Sequence, residues 1–186
     1  ALVRLFTREH GKILAESAIE FSRFGDRFRW PVEQAAWLAE ERQYRAPPRD
    51  TIVFRQPRGV ASQIVPWNWP ISLLGVKMPP ALMTGHTVVI KIAEAPLAPM
   101  QLLKVLADGL PRGVINVIAS PPSELGDELI SHPLVRKISF TGSIKAGKHI
   151  MKVAADTLKA ITLELGGNDA ALVLEDAELG DDAIDS

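Results

Sequence analysis

A chain of 186 residues, 47% hydrophobic and 23% charged, is long enough to bury a core and fits one domain or a little more. Its formal net charge of −1 and its 21 scattered basic residues give no general pull toward nucleic acid or an anionic membrane, and no apolar stretch reaches bilayer-spanning length. The absence of cysteine excludes a disulfide framework, and His10, His86, His132 and His149 lack the close spacing of zinc ligands, so a cytoplasmic protein without a metal is expected.

The chain opens inside what reads as a helix, with Leu2, Leu5 and Phe6 on one face and neither an initiator Met nor a capping residue before it. Helical patterning continues to about Tyr44, broken at Gly11 and Pro31, with Trp30 and Trp37 as core or interface anchors. From Thr51 the pattern changes to strand runs, at Thr51 to Phe54 and Val60 to Val65. Further strands are expected at Thr87 to Ile90, Val114 to Ile118, Lys137 to Phe140, Ala160 to Leu165 and Ala171 to Leu174. Between them fall helices at Met100 to Asp108, Glu124 to Ser131 and Lys145 to Ala155. Such alternation predicts an α/β fold, with a parallel sheet covered by helices on both faces and ligands at the carboxyl ends of the strands. The acidic stretch from Glu178 to Ser186 reads as the start of another helix, so both ends look cut.

Four constellations stand at those strand ends. In Ile64-Val65-Pro66-Trp67-Asn68-Trp69-Pro70, two prolines fix the backbone and leave the Asn68 amide positioned to stabilise an oxyanion; the same cluster also reads as a packed turn. Lys91 and Glu94 follow the strand His86 to Ile90, where a lysine can meet a ribose or phosphate and a glutamate can accept ribose hydroxyls while repelling a 2′-phosphate. The alternative there is a solvated ion pair. Phe140-Thr141-Gly142-Ser143 joins a strand to a helix start, placing Ser143 beside free backbone N–H groups suited to a pyrophosphate. Gly142, Gly147 and Lys148 nearly spell a P-loop, but His149 occupies the place of the magnesium-binding hydroxyl. Last, Glu164 ends the run Ala160 to Leu163 and precedes Leu165-Gly166-Gly167, a carboxylate at the edge of a cleft where partial desolvation raises its pKa toward that of a general base. A buried structural carboxylate is its plain alternative.

The order PWNWP, KIAE, FTGS and LELGG resembles the aldehyde dehydrogenase superfamily over nearly the whole chain. That resemblance implies a Rossmann-like NAD-binding domain preceded by an N-terminal helical layer, with the substrate-side catalytic domain lying beyond this chain. Its parts would be a helical segment over 1–44, an oligomerisation-arm strand over 45–57, the NAD-binding domain over 58–168 and the start of the catalytic domain over 169–186. Asn68 would be the oxyanion-hole amide and Glu164 the general base. Ile64, Pro66, Trp67, Lys91, Glu94 and Gly126 would contact the cofactor, together with Phe140, Gly142, Ser143 and the Leu165 backbone.

In the chemistry so implied, a cysteine thiolate attacks an aldehyde, hydride leaves to NAD, and a glutamate-activated water hydrolyses the thioester. The cysteine would lie past Ser186, so the chain alone is expected to be inactive, to take NAD over NADP because of Glu94, and to form homo-oligomers. Two features depart from the family pattern: Ile92 stands where KPxE carries proline, and Ser120-Pro121-Pro122 replaces a glycine-rich loop. The longer stretch Phe24 to Pro31 has no assigned role. A non-catalytic assembly module with the same fold and a P-loop-like hydrolase are the rival readings.

Overall fold

A computed structural model describes residues 1–92, 97–121, 126–170 and 172–177. Three helices come first, α1 (Leu2–His10), α2 (Leu14–Glu33) and α3 (Ala35–Ala39). Pro31 does not break α2; it is buried in the last turn, just before the helix ends at Gln34. Helical structure stops at Ala39 rather than at Tyr44. The next residues form β1 (Arg42–Ala46), antiparallel to β2 (Arg49–Val53), with Arg42 opposite Val53 and Ala46 opposite Arg49. Cross-strand bonding decides that segment, whose own pattern is polar and ambiguous. Every residue of the hairpin is exposed and it shares no ladder with the main sheet.

The main sheet is parallel, in the order β5-β4-β3-β6-β7. Its strands are β3 (Val60–Ile64), β4 (Thr87–Ile92), β5 (Ile115–Ala119), β6 (Val135–Gly142) and β7 (Ala160–Leu165). Alternate side chains feed opposite faces, as the two-residue period requires. Val88, Ile90 and Ile92 enter a core with Phe6 of α1, Phe24 of α2, Leu103 of α5 (Leu97–Asp108) and Ile71, Leu74 and Met78 of α4 (Pro70–Met83). On the other face Val89 and Ile138 meet Ile130 of α6 (Gly126–Ser131) and Ile150 and Ala154 of α7 (Ile144–Ala155). Each fully buried aliphatic side chain there contributes about 1.5–3 kcal/mol.

Helix α4 has no counterpart among the elements expected from sequence. Pro70, Gly75, Pro79 and Pro80 all read as breakers, yet Pro70 occupies the first turn, where a missing N–H costs nothing, and burial of most of the helix holds the rest. The expected strand at Ala171 to Leu174 is absent in its described part: Leu172, Val173 and Leu174 are exposed and in no ladder, and the Leu174 carbonyl accepts the Ala177 N–H at 3.1 Å. Among the described residues no strand pairs with them. Among the described residues no helix is long and apolar enough to cross a membrane.

Candidate functional site

Sheet growth reverses between β3 and β6, since β4 and β5 extend one side of β3 while β6 and β7 extend the other. In doubly wound sheets the crevice for ligands opens at that point, outside the carboxyl ends of the strands. The ladder aligns the four sequence constellations there. Ile64 lies between Lys91 and Phe140, Thr141 pairs with Glu164, and Gly142 pairs with Leu165.

Two cavities flank this row and share the residues Pro66, Thr141, Gly142 and Ser143. One, of about 400 Å³, is lined by Ile64, Pro66, Trp67, Lys91, Gly126, Phe140, Gly142 and Ser143. These are all the residues expected to contact a cofactor, apart from Leu165 and Glu94. Glu94 lies outside the described residues. The other cavity is an open cleft of about 1120 Å³ that brings together Asn68, Glu164 and Leu165.

Backbone and side-chain groups in the smaller cavity favour an anionic ligand. Ser143 is the N-cap of α7, its Oγ accepting the Ala146 N–H at 3.2 Å, so the first N–H groups of a twelve-residue helix point toward the strand ends. Gly142 leaves its backbone bare beside the Phe140 ring, since a Cβ there would stand 2.5 Å from Phe140 Cζ and force that ring to shift. The Thr141 hydroxyl is buried between the two cavities without a protein partner. Lys91 is buried, and its ammonium donates to the Ser120 carbonyl at 2.9 Å. The Ser-Pro-Pro segment therefore contributes a carbonyl that holds Lys91. Ile92, in place of proline, continues the ladder opposite Ala119 and is fully buried. A P-loop is excluded by the backbone: Ile144 to Lys148 are helical, so they do not wrap around a phosphate.

In the larger cleft, Asn68 Oδ1 accepts the N–H of Trp69 at 3.0 Å. That bond commits the amide oxygen and leaves the Nδ2 donors for a ligand. Glu164 differs from its sequence expectation: on the edge strand β7 it is exposed rather than partly desolvated. Burial is instead found at Lys77, which sequence reading passed over. Its ammonium donates to Ser139 Oγ at 3.0 Å, burial pushes its pKa below the usual lysine range, and the charge of Glu164 partly restores it. A lone lysine in the run Leu73 to Pro80 was the available signal.

A second overlooked pair supports the Asn68 loop. Glu20 of α2 is fully buried, with one oxygen 2.5 Å from the Lys12 ammonium and the other accepting the Ser72 N–H of α4 at 3.0 Å. The carboxylate thus caps α4 near its start, where the helix dipole favours negative charge. Lys12 also sits 3.5 Å above the Trp69 ring, next in sequence to Asn68. Trp30 and Trp37, expected as core or interface anchors, are both exposed; Arg55 lies over the Trp37 ring. His149 pairs with Asp127 across α6 and α7, and His86 bonds Thr84 and the Arg58 N–H.

Over residues 1–186 the sequence matches the profile of the Aldehyde dehydrogenase family. It is 40% identical over 182 residues to the NADP(+) succinate-semialdehyde dehydrogenase of Escherichia coli K12, covering 96% of this chain and 38% of that protein. It is 38% identical to the glutarate-semialdehyde dehydrogenase of Pseudomonas putida, with 96% and 38% covered. The crystal structure of Staphylococcus aureus betaine aldehyde dehydrogenase in complex with NAD+ superposes with a TM-score of 0.84 at 37% identity, covering 89% of this chain and 34% of that one. The chain therefore spans little more than a third of the length of the relatives it matches. On its motifs, its doubly wound sheet and this match along its whole length, the chain belongs to the aldehyde dehydrogenase family.

Proposed function

We propose that these residues form the cofactor-binding part of an enzyme that oxidises an aldehyde to a carboxylic acid with NAD. The observation that carries this reading is the continuity of the two cavities through Pro66, Thr141, Gly142 and Ser143, which sets a dinucleotide groove beside a cleft holding an amide and a carboxylate. The residues present fit the dinucleotide: an orphaned buried hydroxyl at Thr141, a backbone left bare at Gly142 and the N-terminus of α7. When bound, NAD supplies the acceptor for hydride. Glu94, by charge repulsion of a 2′-phosphate, favours NAD over NADP.

Asn68 donates its amide N–H groups to the carbonyl oxygen as negative charge develops on it. Glu164 takes the proton of the water that hydrolyses the cysteine thioester, and its exposed position gives that water access. The Leu165 backbone, in the larger cleft, would face the nicotinamide. The nucleophilic cysteine is not among the 186 residues. Purified as it stands, the chain produces no NADH from a panel of aldehydes; NADH formation would contradict this division of labour. The hairpin β1–β2 serves association with further copies.

A further inference from the structure

Arg23 and Arg27 of α2, the second within the Phe24 to Pro31 stretch that sequence reading left without a role, both line the cleft that holds Asn68 and Glu164. Four residues apart, they share one face of the helix. The adjoining pair Phe24 and Phe28 anchors α2: Phe24 is buried and its ring meets Phe28 edge-on at 5.2 Å. Arg27 crosses α4 where that helix has no side chain, and a Cβ at Gly75 would come within 3.0 Å of Arg27 Cδ. The arginine stem is thus laid over bare backbone, which fixes the course of a long side chain that solvent would otherwise leave mobile.

The charge balance of the cleft is uneven. Its lining carries Arg23, Arg27 and Lys77 against the single carboxylate of Glu164. Lys77 and Glu164 are electrostatically coupled, so they offset each other. Arg29, on the same helix, is paired with Asp26, whereas Arg23 and Arg27 have no ion pair among the described residues. Two unpaired guanidinium groups remain in a cleft whose lining also includes the apolar side chains of Trp69, Leu73 and Val76. Planar guanidinium forks match carboxylates in geometry as well as charge.

We propose that Arg23 and Arg27 select aldehydes whose far end carries a carboxylate, holding that group while the apolar wall covers the short carbon chain and Asn68 takes the carbonyl. This inference rests on the function proposed above. The test uses two unreactive ketones with the same carbon skeleton, 4-oxopentanoate and pentan-2-one, titrated into the NAD-loaded chain by ligand-observed NMR. The anionic ketone binds on the order of tenfold tighter, and about 0.5 M salt reduces the difference. Arg23→Gln with Arg27→Gln abolishes it, while the corresponding double lysine substitution retains part. Equal binding of the two ketones, binding of neither, or discrimination that survives in the double glutamine variant overturns the proposal. Thermal melting verifies that each variant is folded, and the lysine variant carries the test if the glutamine one is not. NAD is titrated in the same series: loss of ketone discrimination with NAD binding intact removes only the arginine clamp, whereas absence of NAD binding removes the function beneath it.

Discussion

Lys77 shows what a single buried charge does to a site. Burial favours its neutral form, while Glu164 and Ser139 favour the ammonium, and burial is the largest influence. Because the folded-state pKa lies below the ordinary 10.5, the unfolded chain binds more protons between the two values, and stability rises with pH through that window. Other lysines, including Lys137, shift in the same direction, so the wild type must be read against Lys77→Met. In urea titrations, the stability of the wild type relative to this variant increases as pH climbs toward 10.5. A flat difference would mean that Lys77 is solvated. Asn68 works on the same scale, since one hydrogen bond to the Trp69 N–H turns a symmetric-looking amide into a directed donor.

At the scale of elements, the Lys12–Glu20 pair ties α2 to the start of α4 and so to the Asn68 loop. Glu20→Gln leaves Lys12 without its buried counter-charge and destabilises the chain by about 3–5 kcal/mol in chemical denaturation; joint replacement by Lys12→Met and Glu20→Leu recovers only part of that loss, because the Ser72 N–H then lacks its acceptor. An effect of Glu20→Gln below about 1 kcal/mol would show that water solvates the pair. Sequence made the alternating strands and helices of the sheet legible because their apolar runs have the right period and sharp stops. It also made the strand-end motifs legible, because each couples a strand to a proline or glycine turn. It missed α4, where prolines mask a helix held by burial, and it misread Arg42 to Tyr44, whose conformation comes from pairing with β2. Glu20, Lys77 and the two cleft arginines were passed over for another reason. Their roles depend on contacts between elements distant in sequence, as between Glu20 and Ser72.

For the molecule as a whole, the sheet is a rigid frame with both faces covered, while the hairpin and one side of the cleft remain open. Tyr44, Ile52, Val53 and Phe54 are all at least half exposed on or beside a two-stranded sheet that is marginal by itself. Sedimentation at rising concentration accordingly finds self-association, and Ile52→Glu combined with Phe54→Glu reduces it; a monomer at every concentration would contradict the proposed role of the arm. In the proposed function this frame holds a dinucleotide across the carboxyl ends of β3, β4 and β6. The most direct test is calorimetric titration of the purified chain with NAD and NADP, alongside Gly142→Ala, whose new Cβ would collide with the Phe140 ring. Saturable one-to-one NAD binding is expected, with weaker NADP binding and about tenfold or greater loss of NAD affinity in the variant, equivalent to about 1.4 kcal/mol. A cooperatively folded chain that takes up no NAD, or binds it equally well with alanine at position 142, would contradict that function.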